Sequence, residues 1–373
     1  MSYKAILVDV IPPEIKKEES KHRLDELESL VKTYGGVAVV KVVQKRGIPD
    51  YKTYIGSGKI QEILLENKSQ IAKDKASLLI INNLLKPTQN YNLGEICKKE
   101  SIEVWDRIDL ILKIFDKHAK SVEAKLQIEL AAIKHMGPRI YGMGLELTRQ
   151  AGGIGTRGVG ETNIQIMKRH LKRREQKIRE KLKHYDLVQK NHRNQRRSKD
   201  LKTASLVGYT NAGKSTLLNA LTKKGVYVAD KLFATLETTV GQLFLPSADK
   251  IALLSDTIGF IQDLPPDLID AFKSTLSEII DADLLLHVID VSDPLYETKI
   301  VVVEDILTEL GVSKKPKIYV FNKLDLNPDT DKLEIADHYL GFSPIFVSSE
   351  TREGLKDLIL KIENELAVQT VVS

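Results

Sequence analysis

The sequence predicts an α/β fold in two regions separated by a long helical segment, and three observations predict it. Short β-branched runs alternate with helical patterns in residues 1–117 and again in residues 203–373, which is typical of mostly parallel sheets. Residues 118–190 instead keep apolar side chains at helical spacing. Residues 191–202 are polar and basic without periodicity, and they are predicted to be a linker.

The composition is that of an ordinary globular protein of two or three domains. Of 373 residues, 42% are hydrophobic and 29% are charged. Because Cys97 is the single cysteine, an intrachain disulfide and a cysteine-cluster metal site are excluded, and a reducing compartment is expected. No apolar run reaches the roughly 20 residues of a membrane span. We therefore expect a cytoplasmic monomer without a membrane span.

Residues 1–117 predict a small α/β unit with a mostly parallel sheet. Strands are expected at 4–10, 37–43, 76–81 and 102–105, and helices at 21–34, 59–66 and 92–99. The turn Gly56–Lys59 superficially resembles a phosphate-binding loop, but it lacks the full spacing and a preceding buried strand. We interpret it as a plain turn into a helix.

Residues 118–190 predict an antiparallel helical hairpin with a glycine-rich loop at 142–160. Each helical stretch has one apolar stripe, and the two stripes are expected to pack together. The stripes are Val122, Leu126, Leu130 and Ile133 in the first stretch and Ile164, Leu171, Ile178 and Tyr185 in the second. Between them, five of the nine residues from Gly152 to Gly160 are glycines, which cannot hold regular structure at reasonable entropic cost.

The second helical stretch carries most of the positive charge. Residues 168–202 contain fifteen Lys and Arg against four Asp and Glu, although the net charge of the whole chain is only +5. A basic helix beside a glycine-rich loop with Arg149 and Arg157 is typical of a surface that binds an RNA backbone. The absence of interleaved aromatic residues favours shape or phosphate recognition over base stacking. A merely solvated charged face is the alternative interpretation.

Residues 203–373 begin with a phosphate-loop pattern. The apolar run 204–207 leads into the loop, and a good helix former follows it, which is the context that GxxxxGK[ST] requires. The loop's N–H groups and the helix N-terminus would face phosphate. Lys214 would reach the β- and γ-phosphates, and the Ser215 hydroxyl would ligate Mg²⁺. The predicted nucleotide contacts are Gly208, Tyr209, Thr210, Asn211, Ala212, Gly213, Lys214, Ser215 and Thr216.

The next motif has the position of the first switch of a guanine-nucleotide-binding protein. An irregular stretch before a predicted strand at 241–245 contains Phe233, Ala234, Thr235, Leu236 and Glu237. Thr235 is the best candidate for a second protein ligand to Mg²⁺ when a γ-phosphate is present. Thr238 and Thr239 are close rivals for that role.

A second switch motif follows the predicted strand 251–255 and consists of Asp256, Thr257, Ile258 and Gly259. Asp256 would hold the Mg²⁺ shell, and the Gly259 N–H would sense the γ-phosphate. Lys214, Thr235 and Gly259 are thus the predicted catalytic residues. Phe260 occupies the position where Ras-like proteins use Gln to orient the attacking water, and its side chain can neither donate nor accept a hydrogen bond. This predicts slow intrinsic hydrolysis that a partner accelerates; the alternative is a packed ring, with another residue positioning water.

Two motifs at later strand ends predict recognition of guanine. A strand at 317–321 leads to Asn322, Lys323 and Asp325. The Asp325 carboxylate would accept from guanine N1–H and N2–H₂, a donor pair that adenine lacks, while Asn322 and Lys323 would brace the base and the phosphate loop. The last loop, Ser348, Ser349 and Glu350, would meet guanine O6. Because ligands of open parallel sheets bind at the carboxyl ends of strands, the motifs together predict a Ras-like P-loop GTPase domain with a six-stranded, mostly parallel sheet.

Several segments, from about residue 50 to the C-terminus, carry a family resemblance. They are Tyr54–Lys59, Asp106–Arg107 with Leu110–Leu112, Ala124–Ala131, Gly152–Thr162, Gly208–Ser215 and Phe260–Pro265. Together they resemble the HflX family of translational GTPases. The resemblance implies an N-terminal α/β domain with a long helical hairpin, followed by a GTPase domain that binds GTP and GDP.

The resemblance also implies a partner and cofactors. Members of the family bind the large ribosomal subunit, and bacterial members split stalled or hibernating ribosomes, so rRNA is the expected partner. The resemblance places Mg²⁺ on Ser215 and Thr235 and implies a hydrophobic residue at the position of Phe260. Asn211 matches the Asn that supports K⁺ activation in related GTPases.

Three functions remain open from the sequence. The first is a GTPase that docks on rRNA through residues 140–200 and uses GTP to time a subunit event. The second is an RNA-binding assembly or remodelling factor for which hydrolysis triggers release. The third is a free-standing nucleotide switch whose basic helix is solvated surface.

Overall fold

The structure is a computed structural model that describes residues 3–71, 75–150, 159–198, 201–222, 232, 239–262, 268 and 276–372. The chain divides into two compact units. The first comprises Met1–Lys117 and Lys125–Leu182, and the second comprises His118–Ala124 and Lys183–Ser373. The segment 118–190, predicted as one hairpin region, is therefore divided between the two units.

The first unit contains a parallel four-stranded sheet in the order β2-β1-β3-β4. Its strands are β1 (Tyr3–Ile11), β2 (Gly36–Lys45), β3 (Leu78–Ile81) and β4 (Glu103–Asp106). Its helices are α1 (Lys17–Tyr34), α2 (Ser57–Ser69), α3 (Pro87–Lys98) and α4 (Arg107–His118). Each predicted β-branched run forms a strand. Strands β1 and β3 lie inside the sheet and are buried on both faces over most of their length, whereas the edge strand β2 exposes alternate side chains.

The core of the first unit lies between this sheet and its helices. Seven consecutive residues of β1, from Ala5 to Ile11, are buried. Asp9 is the charged member of that run, and Arg23 Nε donates to its carboxylate at 2.8 Å. Cys97 is also fully buried, and burial raises the pKa of its thiol to about 11. The single cysteine is therefore a core residue without thiolate character at neutral pH.

A buried ionic cluster joins the end of β4 to the helix that follows α4. The Arg139 guanidinium contacts the carboxylates of Asp106 and Asp109, and His135 Nε2 lies 3.3 Å from an oxygen of each. Burial disfavours the charged imidazole, but the two carboxylates outweigh it and raise the pKa of His135 to about 9. Burial likewise opposes ionisation of Asp109, but His135 and Arg139 lower its pKa to about 2.

Helices α5 (Val122–Gln150) and α6 (Val159–Ser198) are longer than the sequence analysis predicted. Residues 142–150 and 159–160, expected in the glycine-rich loop, are helical; residues 151–158 lie outside the described residues. A single glycine costs a helix only about 1 kcal/mol, so scattered glycines do not end it. Residues 191–198 of the expected linker are helical too, because their three Arg and one Gln favour helix even without an apolar stripe.

The two long helices pack through part of the predicted stripes. Leu130, Ile178 and Leu182 form a small buried cluster, flanked by Leu126 and Ile133. Val122 departs from the expectation, since it is 62% exposed. A 2.5 Å ion pair between Arg174 and Glu129 also joins the helices.

The second unit contains a six-stranded sheet in the order β10-β9-β8-β5-β7-β6, in which the edge strand β6 alone is antiparallel. Its strands are β5 (Thr203–Val207), β6 (Thr239–Leu245), β7 (Lys250–Asp256), β8 (Leu284–Asp290), β9 (Lys317–Asn322) and β10 (Ile345–Phe346). Its described helices are α7 (Lys214–Leu221), α8 (Ser277–Asp281), α9 (Tyr296–Glu309), α10 (Lys332–His338) and α11 (Leu355–Val372). The predicted six-stranded, mostly parallel sheet is confirmed.

This topology positions the functional motifs. Strand β5 lies in the middle of the sheet between β8 and β7, and its core residues Ala204 and Leu206 are buried against both neighbours and α7. The carboxyl ends of the five parallel strands consequently meet at one edge of the sheet. Among the described residues, no helix is long and apolar enough to cross a lipid bilayer.

Candidate nucleotide-binding site

The turn from β5 to α7 can be built only with glycine at two positions. Gly208 has φ +152°, and a Cβ there would lie 2.3 Å from the Val288 carbonyl oxygen. Gly213 has φ +92°, and a Cβ there would lie 2.3 Å from Asn322 Nδ2. Both approaches are far inside van der Waals contact, so the loop is packed onto β8 and onto the end of β9.

The first turn of α7 exposes backbone donors rather than a side-chain cap. Gly213 is the N-cap residue, and it makes no side-chain cap hydrogen bond to the first N–H groups of this helix. The N–H groups of Lys214, Ser215 and Thr216 therefore lie at the positive end of the helix dipole without an intrahelical acceptor. That arrangement suits an anion such as phosphate.

Lys214 is a buried cation aimed along the loop. The residue is only 5% exposed, and its Nζ donates to the carbonyls of Gly208 at 3.1 Å and Tyr209 at 2.8 Å. Burial lowers the pKa of Lys214 to about 8, against the opposing charge of Asp256. The ammonium is thus held in place while its charge is poorly compensated, and an anionic ligand would stabilise it.

Ser215 and Asp256 bring two hard oxygen ligands together. Ser215 Oγ donates to Asp256 Oδ2 at 2.5 Å, and Asp256 is fully buried at the end of β7. Thr257 anchors this strand end, because its hydroxyl donates to the Leu206 carbonyl at 2.7 Å. A hydroxyl and a carboxylate oxygen are the ligand types that Mg²⁺ takes in phosphate sites, so the pair fits that ion.

The segment after Asp256 lies against the phosphate loop. A Cβ on Gly259 would meet Thr210 Cα at 2.8 Å and Lys214 Nζ at 2.9 Å, so this position too requires glycine. The Phe260 ring is 2% exposed and packed in the core. Its backbone N–H donates to Gly208 at 3.1 Å, and its carbonyl accepts from Thr210 N–H at 2.7 Å. Position 260 therefore contributes backbone to the site and no polar side chain.

Asn322 links the phosphate loop to the last loop of the site. Its Nδ2 donates to the Ala212 carbonyl at 2.9 Å. Its Oδ1 accepts from Ser349 N–H at 3.0 Å and from the Ser349 hydroxyl at 2.8 Å. One buried amide thereby fixes the relative position of the phosphate end and the predicted base end.

The predicted base-binding residues lie together beside Asn322. Asp325 Oδ1 accepts from the Ser348 hydroxyl at 2.5 Å, while Glu350 is exposed. Lys323 has φ +66°, and its Nζ forms a 2.7 Å ion pair with Asp290. The end of this loop requires glycine at position 354, because a Cβ there would lie 2.1 Å from the Phe346 carbonyl oxygen.

The first switch motif lies outside the described residues. It comprises Phe233, Ala234, Thr235, Leu236 and Glu237, together with Thr238. The assignment of Thr235 as a magnesium ligand therefore stays a prediction. Its rival Thr239 begins β6 and is paired with Asp256 in the strand register.

Two features of the site were missed by sequence reasoning. Asp290, at the end of β8, accepts from Ser292 N–H at 3.0 Å and pairs with Lys323. The strand-end rule that pointed to Asp256 also applies to Asp290 and could have found it. The Tyr209 hydroxyl accepts from Gln262 N–H at 2.9 Å, and nothing in the sequence pattern signals that contact.

The basic side chains of α6 were predicted from the sequence to bind an RNA backbone. Two of its arginines are engaged within the protein: Arg174 with Glu129 and Arg179 with Glu175. Other cations of this helix are exposed and make no ion pair with a described residue. They include Lys172, Arg173, Lys177 and Lys181.

Three family models match consecutive parts of the chain. Residues 21–116 match "GTP-binding GTPase N-terminal", residues 118–196 match "GTP-binding GTPase Middle Region", and residues 203–323 match "50S ribosome-binding GTPase". A protein named GTPase HflX from Caldanaerobacter subterraneus is 43% identical over 99% of this chain and 82% of its own length. The chain belongs to the HflX family of GTPases. GTPase HflX of Escherichia coli is 37% identical over 97% of this chain and 83% of its own length.

A solved structure extends the HflX-family match to the fold. A GTP-binding protein from Sulfolobus solfataricus, crystallised with GDP, is 28% identical, covers 98% of this chain and 99% of its own, and has a TM-score of 0.51. The carboxyl-terminal half of this HflX-family chain is thus a P-loop GTPase domain, and the chain is a GTPase. The resemblance and the fold class predicted from the sequence are confirmed.

Proposed function

We propose that the chain binds GTP with Mg²⁺ at the carboxyl edge of the six-stranded sheet and hydrolyses it to GDP and phosphate. The observation that carries the proposal is the convergence of Lys214, Ser215 and Asp256 at one strand edge. Lys214 would bind the β- and γ-phosphates, and the N–H groups that open α7 would bind the remaining oxygens. Ser215 and Asp256 would hold Mg²⁺, with Thr235 as a further ligand; the ion neutralises charge that develops on the phosphates.

Selectivity for guanine is proposed to come from Asp325. Its carboxylate accepts from the Ser348 hydroxyl and presents an acceptor that matches the N1–H and N2–H₂ donors of guanine. Asn322 supports this arrangement, since it ties Ser349 and Ala212 together. The Ser348 N–H donates to the Glu353 carbonyl and the Ser349 N–H to Asn322 Oδ1, so the Glu350 N–H is the donor of this loop that would meet guanine O6.

Intrinsic hydrolysis is proposed to be slow. The side chain at position 260 is a buried phenyl ring, so it cannot orient a water molecule. A partner that supplies a polar group or orders residues 259–270 would accelerate the reaction. Asn211 would support activation by K⁺, which a comparison of hydrolysis rates in K⁺ and Na⁺ tests directly.

The proposed partner is the RNA of the large ribosomal subunit. The family model that matches residues 203–323 is described as a 50S ribosome-binding GTPase. The exposed cations Lys172, Arg173, Lys177 and Lys181 are free of ion pairs with described residues and are available to phosphates. GTP occupancy would then control association with this partner, and a role in splitting or rescuing ribosomes would follow from it.

Sedimentation of the full chain with large subunits tests the proposal. We expect association with a non-hydrolysable GTP analogue, weaker association with GDP, and a loss of association as salt is raised. Charge reversal at Lys172, Arg173 and Lys177 should weaken it without changing nucleotide affinity. Reversal of the exposed Lys52, Lys98 and Lys99 is the matched control and should have little effect. Equal association in all nucleotide states, or equal loss in both variants, would contradict the proposal.

A further inference from the structure

Phe260, the residue that follows the second switch motif, is hydrogen-bonded to the phosphate loop through its backbone. Tyr209 and Phe260 form an isolated parallel β-bridge. Phe260 N–H donates to the Gly208 carbonyl at 3.1 Å, and Thr210 N–H donates to the Phe260 carbonyl at 2.7 Å. These two hydrogen bonds fix residue 260 but leave the direction of the chain beyond it undetermined.

A side chain of the phosphate loop supplies the third bond. The Tyr209 hydroxyl accepts from the Gln262 N–H at 2.9 Å, two residues past the bridge. The Tyr209 ring is itself held, since it is 6% exposed and Lys299 Nζ lies 4.9 Å from its centroid. Lys299 is in turn ion-paired with Asp293, on the turn that follows β8. The hydroxyl is therefore a fixed acceptor on a clamped ring.

The bond bears on Gly259, the residue whose N–H is directed to the γ-phosphate in the proposed site. Gly259 packs so closely on Thr210 and Lys214 that only glycine fits. The Phe260 side chain is buried and apolar, so it cannot hydrogen-bond residues 259–262 to the phosphate loop. Their register depends on the bridge and on the tyrosine hydroxyl.

We propose that Tyr209 is a positioning residue for GTP hydrolysis. Its hydroxyl holds residues 259–262 in register with the phosphate loop, so that the arriving γ-phosphate meets a Gly259 N–H already in place. Preorganised donors of this kind act mainly on the transition state. The inference rests on the proposed nucleotide site. Tyr209 acts through Gln262 and Gly259, so it should affect the chemical step and leave the binding of GDP, which has no γ-phosphate, unchanged.

Tyr209→Phe removes the hydroxyl and keeps the ring under Lys299. Tyr319→Phe is the matched control, because Tyr319 is a buried tyrosine of β9 whose hydroxyl donates to Glu304 at 3.0 Å, away from the phosphate loop. Three quantities are measured in the full chain: the single-turnover rate at saturating GTP, the affinity for GDP, and hydrogen exchange of amides 259–262. We expect Tyr209→Phe to slow turnover about 5-fold, the worth of one hydrogen bond, and to accelerate exchange at Gln262 with GDP affinity unchanged.

The control separates positioning from general stability. Tyr319→Phe should lower the unfolding temperature without slowing turnover or accelerating exchange at Gln262. Wild-type turnover in Tyr209→Phe, or equal slowing in Tyr319→Phe, would overturn the inference while the nucleotide site stands. Failure of the unmodified protein to bind GDP would overturn the proposed site, and the inference with it.

Discussion

Both units of the chain contain a wholly or mostly parallel sheet, and in both a turn with glycine and lysine opens a helix. In the second unit β5 ends at Val207, directly before the loop, and a Cβ on Gly208 or Gly213 would lie 2.3 Å from a neighbour. In the first unit β2 ends at Lys45, well before α2 begins at Ser57. A Cβ on Gly58 would meet nothing within 4 Å. A buried strand that ends at the loop, rather than glycine content, therefore creates the close-packed turn.

The two lysines differ in the same way. Lys214 is buried and bonded to the carbonyls of its own loop, whereas Lys59 pairs with Glu62 at 2.8 Å on the helix surface. The first unit satisfies its buried charges internally, as Arg139 does for Asp106 and Asp109. The second unit keeps a buried cation whose pKa is lowered by burial. A charge left in that condition indicates a ligand site.

The largest expected difference comes from alanine at one glycine of each turn. Gly208→Ala places a Cβ against Val288 at a strained φ and should destabilise the second unit by on the order of 3 kcal/mol and abolish GTP binding. Gly58→Ala relieves the entropic cost of glycine in a helix and should stabilise the first unit by about 0.5 kcal/mol. Thermal unfolding and nucleotide titration measure both. Similar effects of the two variants would remove the distinction between the turns.

Alanine at Lys214 and at Lys59 should also affect GTP affinity differently. Lys214→Ala removes a charge-assisted contact to phosphate and should weaken GTP affinity by on the order of 100-fold. Lys59→Ala removes a surface ion pair that contributes under about 1 kcal/mol, so GTP affinity should not change. Fluorescent nucleotide titration provides the measurement, and a loss of GTP affinity in Lys59→Ala would show that the first unit takes part in binding.

A smaller effect is expected at the base end. Asp325→Asn replaces an acceptor with a group that also donates, and should lower GTP affinity by on the order of 30-fold, with GTP preference over ATP reduced. Asp329→Asn, at an exposed acid in the same segment, is the matched control and should leave both unchanged. Competition titrations with the two nucleotides give the ratio. An unaltered preference in Asp325→Asn would assign selectivity to other residues.

The smallest effect concerns pH and the first unit. Because the pKa of His135 is raised to about 9, its contribution is complete below its ordinary pKa near 6.5 and is lost as pH rises through 9. The unfolding free energy of the first unit should fall by about 2 kcal/mol over that range. Urea unfolding of the native protein and of His135→Gln at several pH values tests this. His170→Gln, at an exposed histidine, should keep the slope; a slope retained in His135→Gln would contradict the prediction.

The sequence predicted most of the strands, their mostly parallel arrangement and the motifs at the strand ends, because hydrophobic periodicity and strand-end placement are local signals. Contacts across the fold were not predictable in this way. The pairing of Lys323 with Asp290, and of Tyr209 with Gln262, depends on which strands become neighbours. The loop predicted at 142–160 is too long. An isolated glycine lowers helix stability by only about 1 kcal/mol, so counting glycines overestimates where a helix must end. The assignment of Thr235 as a magnesium ligand stays a prediction, because Thr235 lies outside the described residues.

Calorimetric titration of the full chain with GDP and with ADP, each with Mg²⁺, tests the central claim most directly. One guanine-nucleotide site per chain, with ADP bound at least about 100-fold more weakly, is the predicted result. Equal affinities for the two nucleotides, or no binding of GDP, would contradict the assignment of a guanine-nucleotide site to the carboxyl edge of the six-stranded sheet.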